Sequence, residues 1–209
     1  MDATTSESPL LDKRRAQMRG WLHSLRARTL PLACAAIASG SALAAWQRAF
    51  SPGVALLALV TATLLQILSN LANDYGDVSK GTDTPRRIGP LRGLHTGALT
   101  LAQMRRALWL CGGLAALCGC SLIAIAARTP GAMAVFAVLG LLSIAAALGY
   151  TLGRHAYGYL GLGDAAVLVF FGWVGVAGSC ALQTGALDAA VLWPATASGL
   201  LAAMVLNIN

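Results

Sequence analysis

A stripe of polar side chains lies near the end of the second long apolar segment of the chain. Its members are spaced at i, i+4, i+7, i+8 and i+11, which places them on one face of an α-helix. They are Gln66, Asn70, Asn73, Asp74 and Asp77. Polar side chains this deep in an apolar helix are costly unless they face water or a ligand. The stripe predicts a functional site, and a frayed, hydrated helix end is the alternative.

Carboxylates in and just after this stripe have the chemistry of a metal site. Asp74, Asp77 and Asp83 lie within ten positions of one another. Mg²⁺ prefers oxygen ligands and is commonly held by one or two carboxylates together with substrate phosphate oxygens. These three aspartates are therefore the predicted metal ligands and catalytic residues, with Mg²⁺ as the cofactor.

The same segment carries cations suited to a phosphate ligand. Lys80, Arg87 and Arg92 follow the aspartates closely, and arginine binds phosphate in a bidentate manner. Arg92 is also a predicted catalytic residue, since it would stabilise the charge of a leaving group. For three further arginines, membrane anchoring is the preferred interpretation: Arg86, Arg105 and Arg106. Metal-binding carboxylates beside phosphate-binding cations at a membrane surface predict a lipid diphosphate substrate, with Asn70 and Asn73 helping to bind it.

The elements that position these residues are apolar helices. Hydrophobic residues make up 57% of the 209 positions and charged residues 11%, against about 25% charged in soluble domains. Six stretches of about 19 to 25 residues lack any charged residue or histidine, and each is long enough to cross a bilayer. They are 29–47, 49–73, 107–127, 129–153, 165–187 and 189–209. The sequence predicts an all-α, polytopic transmembrane bundle of about six helices over residues 19–209, after a disordered polar segment over residues 1–18.

The net charge of +7 is distributed unevenly between the two ends of these helices. Thirteen Lys and Arg residues fall on the face that carries the N-terminus and the 74–106 loop, and only Arg48 and Arg128 fall on the other. This bias predicts a cytoplasmic N-terminus and a cytoplasmic active-site loop. Anionic lipid headgroups account for the basic residues, so no nucleic acid partner is implied.

The polar stripe and its loop match a known pattern. Residues 68–77 (LSNLANDYGD), then Lys80-Gly81-x-Asp83 and Arg87-x-Gly89-Pro90-x-Arg92-Gly93, resemble the first aspartate-rich motif of the UbiA superfamily of intramembrane aromatic prenyltransferases. The inserted Gly81-x-Asp83 and the tail Arg87-x-Gly89-Pro90-x-Arg92 look specifically like those of one branch of this superfamily. That branch is the 1,4-dihydroxy-2-naphthoate polyprenyltransferases, the membrane enzymes of menaquinone synthesis. Supporting matches are Arg26-Ala-Arg28-Thr29-Leu30-Pro31, Tyr150-Thr-x-Gly153, Tyr157-Gly-Tyr159-Leu-Gly-Leu-Gly163-Asp164 and Leu206-Asn207-Ile-Asn209.

The resemblance implies a reaction at the bacterial inner membrane. A polyprenyl group would pass from an all-trans polyprenyl diphosphate to 1,4-dihydroxy-2-naphthoate, releasing diphosphate and carbon dioxide and giving demethylmenaquinol. Tyr150, Tyr157 and Asp164 are predicted to line the aromatic pocket. Helix capping is the alternative for Asp164, and membrane anchoring is the alternative for Tyr157 and Tyr159.

The resemblance also implies what lies outside the chain. The family fold has about nine helices, and its second aspartate-rich motif begins with the Asn207-x-Asn209 pattern. We expect a C-terminally truncated sequence that holds the first six helices and lacks half of the metal site. The alternatives are another aromatic prenyltransferase of the superfamily, a membrane transporter, or an inactive fragment. A transporter is disfavoured because the polar stripe has no matching polar positions across helices 3 to 5.

Overall fold

The computed structural model describes residues 9–80, 93–94, 96–154 and 156–208, and every regular element in this part of the chain is helical. Its seven helices follow one another: α1 Pro9–Leu25, α2 Leu30–Trp46, α3 Pro52–Ser79, α4 Leu101–Ala126, α5 Pro130–Gly149, α6 Gly163–Thr184 and α7 Leu192–Ile208. Short 3₁₀ turns at Tyr157–Leu160 and Ala189–Val191 precede the last two helices. The predicted all-α class is confirmed.

Among the described residues, five helices are long and apolar enough to cross a membrane: α3, α4, α5, α6 and α7 extended back to Ala189. Helices α1 and α2 meet the same criteria only as a pair, bent by 44° at the break between them, and would give a sixth span if the pair is counted as one. The six apolar stretches of the sequence correspond to α2 through α7. The protein is therefore a multi-pass membrane protein.

The structure differs from the sequence interpretation at the N-terminus. Helix α1 begins at Pro9, so residues 9–18 are helical rather than disordered, and residues 1–8 lie outside the described part. The later turns of α1 hold it in place, because Gly20 and Ser24 are buried there. Trp21 packs against the core formed by α3 and α4. Tertiary packing of one face thus stabilises a helix whose composition is polar.

Local signals account for where the helices begin. Proline occupies the first turn of α2, α3 and α5, where its missing N–H costs no hydrogen bond. Thr100 caps α4, accepting a hydrogen bond from the backbone N–H of Gln103, whose side chain bonds back to Thr100. The Thr129 hydroxyl caps α5 in the same way by accepting from the N–H of Ala132. These caps satisfy donors that an apolar environment would otherwise leave unpaired.

The bundle is arranged around α3, which packs against α2, α4 and α5, while α6 packs between α2 and α7. The hydrogen bonding of α6 widens to the π type over Leu168–Gly178. Its Gly172 meets Gly199 of α7 so closely that a Cβ on Gly172 would lie 2.5 Å from the carbonyl oxygen of Ala195. Small residues thus allow the two backbones to touch, as is common in membrane helices. The polar end of α3 is left facing the α1–α2 break and the connection between α5 and α6.

Candidate functional site

The polar stripe of α3 is divided between two neighbours, and its first edge contacts the break between α1 and α2. The Nδ2 group of Asn70 donates to the backbone oxygen of Leu25 at 2.9 Å and to Oγ1 of Thr29 at 3.0 Å. Gln66 Nε2 donates to the same Thr29 oxygen at 3.3 Å. Asn70 is 2% exposed, so these bonds satisfy a buried amide. We call residues 25–29 the elbow.

The elbow is also held by an ion pair. Arg26 Nη2 lies 2.9 Å from Oδ1 of Asp74, whose side chain is fully buried. Arg26 adopts a φ of +49°, a left-handed conformation that non-glycine residues rarely take. In the sequence, Arg26 was assigned only to the charge bias and to a family match. The break between the polar helix α1 and the apolar helix α2, where Arg26 meets its partner, is visible only in the structure.

The second edge of the stripe contacts the connection between α5 and α6. The hydroxyl of Thr151 donates to the backbone oxygen of Ala72 at 3.0 Å and to Oδ1 of Asn73 at 3.1 Å. A Cβ on Gly76 would lie 2.8 Å from Cβ of Thr151, so glycine is what permits this close approach. Thr151 belongs to the Tyr150-Thr-x-Gly153 match, but no periodic or charge signal in the sequence assigns it a role.

Asp77 and Lys80 both engage Tyr159 of this connection. The Tyr159 hydroxyl donates to Oδ1 of Asp77 at 2.8 Å. The ammonium of Lys80 lies 4.7 Å from the centre of the Tyr159 ring, a cation–π distance. Tyr159 therefore contacts two predicted site residues, which membrane anchoring alone does not explain.

Two further tyrosines form the wall next to this edge. The rings of Tyr150 and Tyr157 meet edge to face with centroids 5.4 Å apart, and Tyr157 Oη donates to the backbone oxygen of Ala146 at 2.8 Å. Burial, assisted by the neighbouring Tyr150, raises the pKa of Tyr157 to about 12. Burial also raises the pKa of Tyr150. Both hydroxyls are therefore neutral donors at physiological pH.

A cavity of about 290 Å³ opens between these two edges. Its polar mouth is formed by Arg26, Thr29, Asn70, Asn73 and Tyr150. Deeper in the bundle its walls are apolar and include Phe136, Leu139 and Phe170. Lining residues run along α3 from Asn73 to Ala58, which corresponds to about 22 Å of helix. Three predicted substrate-binding residues, Asn70, Asn73 and Tyr150, are thus brought together at one mouth.

Asp164 takes a different position. It lies in the first turn of α6, is exposed, and accepts a hydrogen bond from Nδ2 of Asn207 at 3.0 Å. The cap position of this helix is Leu162, and no side chain caps it. The adjacent Gly163 lines the cavity, and Asp164 does not. Asp164 therefore joins α6 to α7, a role that neither sequence alternative included.

Three predicted site residues, Asp83, Arg87 and Arg92, lie outside the described residues, and their roles stay predictions. Within residues 9–80, 93–94, 96–154 and 156–208, no three His, Cys, Asp or Glu side chains cluster closely enough to hold a metal ion. Asp77 is half-buried at the end of α3, and its oxygens suit Mg²⁺. Asp74 is fully buried and paired with Arg26, and its role as a metal ligand stays a prediction.

Most of the chain is similar to known proteins. Residues 32–209 match the model of the UbiA prenyltransferase family. The chain is 58% identical to 1,4-dihydroxy-2-naphthoate octaprenyltransferase of Escherichia coli over 194 residues, which cover 93% of the chain and 63% of that relative. Identity to the enzyme of the same name is 49% in Haemophilus influenzae, covering 92% of the chain and 63% of the relative. For Mycobacterium tuberculosis the identity is 40%, covering 93% and 64%.

No solved structure gives a significant match to the chain. The family match covers most of the sequence, including the whole of α3 and its polar stripe. The chain therefore belongs to the UbiA prenyltransferase family.

Proposed function

We propose that the protein transfers a polyprenyl group from an all-trans polyprenyl diphosphate to 1,4-dihydroxy-2-naphthoate, giving demethylmenaquinol with release of diphosphate and carbon dioxide. The relatives that bear this activity in their names are 58% and 49% identical to the chain, which spans 63% of their length. The single observation that carries the proposal is the cavity with a polar mouth and an apolar interior, which opens at the polar stripe of α3.

The two parts of the cavity suit the two parts of the donor substrate. A polyprenyl diphosphate has a highly charged head and a long hydrocarbon tail. The tail would lie among Phe136, Leu139 and Phe170, where its burial is favourable. The head would lie at the mouth, where Asn73 presents an amide and Arg26 presents a positive charge. Asn70 would support this side of the mouth through its bonds to the elbow.

The cations after α3 are proposed to bind the diphosphate. Lys80 stands at the end of α3, and Arg87 and Arg92 follow it along the chain. Positive groups at the leaving oxygens stabilise the charge that develops as the allylic C–O bond breaks, and such electrostatic stabilisation often lowers an enzyme's activation barrier more than any other effect. Arg92 is proposed to contribute most directly to departure of the diphosphate.

Mg²⁺ is the proposed cofactor, with Asp77 and Asp83 as the ligands within this chain. When bound there, Mg²⁺ would neutralise negative charge on the leaving diphosphate. Tyr159 would orient the carboxylate of Asp77 through its hydrogen bond, as outer-shell partners commonly do. Asp74 stands apart from this pair, because its carboxylate is buried against Arg26.

The walls of the cavity are proposed to protect and direct the reacting carbon. Apolar side chains exclude water, which would otherwise capture an allylic cation. Tyr150 and Tyr157 line the same space, and their rings would stabilise a cation electrostatically. The electron-rich ring of the naphthoate would supply the electron pair of the new C–C bond. Loss of the carboxylate as carbon dioxide would then return an electron pair to the ring.

The site is proposed to face the cytoplasm from the bacterial inner membrane. The elbow, the end of α3 and the α5–α6 connection meet at the end of the bundle that carries ten of the twelve Lys and Arg residues in the described part of the chain. Lys and Arg residues concentrate on the cytoplasmic side of membrane proteins. Placement of this end in the cytoplasm also gives the site access to a water-soluble acceptor.

The test is an assay of the purified full-length protein in detergent with Mg²⁺, farnesyl or longer diphosphate, and 1,4-dihydroxy-2-naphthoate. We expect prenylated product and diphosphate in equal amounts, loss of both in EDTA, and loss of both in Asp77→Asn. Asp12→Asn is the matched control, because Asp12 is exposed on α1. Product with a different hydroxylated aromatic acid, but none with the naphthoate, would contradict the proposed acceptor. Ion flux in proteoliposomes without diphosphate release would favour a transporter.

A further inference from the structure

The two aspartates at the end of α3 stand in different electrostatic environments. The side chain of Asp74 is 0% exposed and forms an ion pair of 2.9 Å with Arg26, whose side chain is 26% exposed. Asp77 is half-buried and bonds to Tyr159, which is itself 49% exposed. A buried carboxylate needs a partner charge to be tolerated, and Asp74 has one from the protein itself.

The directions of the two carboxylates also differ. Residues three positions apart on a helix are separated by about 60° around its axis. Asp74 continues the line of Gln66 and Asn70, whose amides bond to the elbow. Asp77 continues the line of Asn73, which bonds to the α5–α6 connection through Thr151. Asp74 therefore contacts the elbow, whereas Asp77 contacts the connection between α5 and α6.

The elbow has a conformation that needs external support. Arg26 has a φ of +49°, and backbone strain of this kind persists only where the surroundings over-determine it. The carbonyl oxygen of Arg26 accepts a hydrogen bond of 3.0 Å from the Thr29 hydroxyl, which in turn accepts from Asn70. Arg26 and Thr29 both line the mouth of the cavity. An interaction that holds the elbow in this conformation therefore also holds one side of the cavity mouth in place.

We propose that Asp74 is a positioning residue, not a ligand of Mg²⁺: its carboxylate holds Arg26, and with it the elbow, against α3 at the cavity mouth. The activity consequences of this assignment rest on the proposed function. Its consequences for metal binding, for stability and for the mobility of the elbow do not depend on the proposed function. We call the ion pair between Arg26 and Asp74, which lie 48 positions apart in the sequence, the charge lock.

The first test measures metal binding with Mn²⁺ as the probe, by electron paramagnetic resonance on the purified full-length protein. The titrations are made without substrate and with farnesyl thiolodiphosphate, an unreactive analogue. We expect Asp74→Asn to keep the Mn²⁺ affinity within twofold and Asp77→Asn to weaken it at least tenfold. Equal weakening by the two variants would overturn the proposal for Asp74. Unchanged affinity in both would overturn the metal role of Asp77 but would still support the statement that Asp74 is not a ligand.

The second test uses the unequal exposure of the two partners. Arg26→Gln removes the guanidinium from a fully buried carboxylate, whereas Asp74→Asn leaves a cation that is partly exposed. We expect Arg26→Gln to lower the melting temperature and the yield of monodisperse protein more than Asp74→Asn does. Adding Asp74→Asn to Arg26→Gln should then restore part of the loss. A double variant no more stable than Arg26→Gln alone would contradict the lock.

The third test observes the elbow directly. A spin label on Arg28→Cys, an exposed elbow position, is placed in a background in which the five native cysteines are replaced by alanine or serine. We expect Asp74→Asn and the double variant to increase the mobility of the label, and Asp77→Asn to leave it unchanged. Asp74→Glu, which keeps the charge, should keep the label more restricted than Asp74→Asn. An elbow that is equally rigid in all variants would overturn the proposal.

Discussion

The hydroxyl of Tyr159 donates a 2.8 Å hydrogen bond to Oδ1 of Asp77, and this bond ties the exposed connection between α5 and α6 to the end of α3. Asp77 is thereby oriented by a residue 82 positions further along the chain. The same tyrosine ring lies beneath the ammonium of Lys80. One exposed side chain thus contacts a proposed metal ligand and a proposed diphosphate ligand.

We predict that Tyr159→Phe raises the Mg²⁺ concentration for half-maximal activity about tenfold, because an outer-shell partner that orients a ligand typically contributes about 10- to 100-fold to metal affinity. The ring and its contact with Lys80 are retained in this variant. Tyr159→Ala removes both, and should additionally raise KM for the diphosphate. An unchanged Mg²⁺ dependence in Tyr159→Phe would show that the hydrogen bond has no part in holding the metal.

Asn70→Ala should destabilise the protein by about 1 to 3 kcal/mol, since it removes the donor to the partly buried carbonyl of Leu25 and one of the two donors to the Thr29 hydroxyl. Asn70 donates to Leu25 at 2.9 Å and to Thr29 at 3.0 Å. The control is Ser121→Ala, because the hydroxyl of Ser121 bonds only within its own helix, to the oxygen of Leu117. Thermal unfolding in one detergent measures both. Equal melting temperatures for the two variants would contradict a supporting role for Asn70.

The cavity can be filled from α5. Gly140 lines it, and a Cβ there would meet nothing within 4 Å. We predict that Gly140→Leu raises KM for polyprenyl diphosphates about tenfold or more, because the leucine side chain would occupy the space in which the prenyl tail is proposed to lie. The increase in KM should be larger for donors with longer prenyl chains. Steady-state kinetics with a short and a long donor provide the measurement.

Gly113→Leu is the matched control for this prediction. Gly113 is also a helical glycine with open space around it, but it does not line the cavity. It should stay within twofold of the parent protein. Equal effects of the two leucines would mean that the cavity between α3 and α5 does not hold the donor.

The contact between α6 and α7 gives a prediction about stability alone. A Cβ on Gly172 would lie 2.5 Å from the carbonyl oxygen of Ala195, whereas a Cβ on Gly178 would have its nearest contact at 3.9 Å. Gly172→Ala should therefore cost about 1 to 3 kcal/mol through overpacking. Gly178→Ala, in the same π-helical stretch, should be neutral or slightly stabilising. Thermal unfolding that ranks the two variants in the opposite order would contradict the packing of these helices.

The helices and the chemical character of the site could be predicted from the sequence. An uninterrupted apolar stretch must be helical to satisfy its backbone in lipid, so length and composition alone located α2 through α7. The spacing from Gln66 to Asp77 placed all five polar side chains on one helical face, because helical periodicity is a local property. Motif similarity indicated the family, which the match over residues 32–209 confirmed.

Only the tertiary structure decided how that face is used. In the sequence, Asp74 and Asp77 belong to one continuous polar stripe. In the structure, Asp74 pairs with Arg26, and Asp77 pairs with Tyr159. The structure likewise joined Asp164 to Asn207 and Asn73 to Thr151. Each of these pairs depends on which helix or turn lies opposite, and that is set by the packing of distant segments. Periodicity determines the direction in which a side chain points along its own helix, whereas the charge or hydrogen bond that meets it comes from elsewhere in the chain.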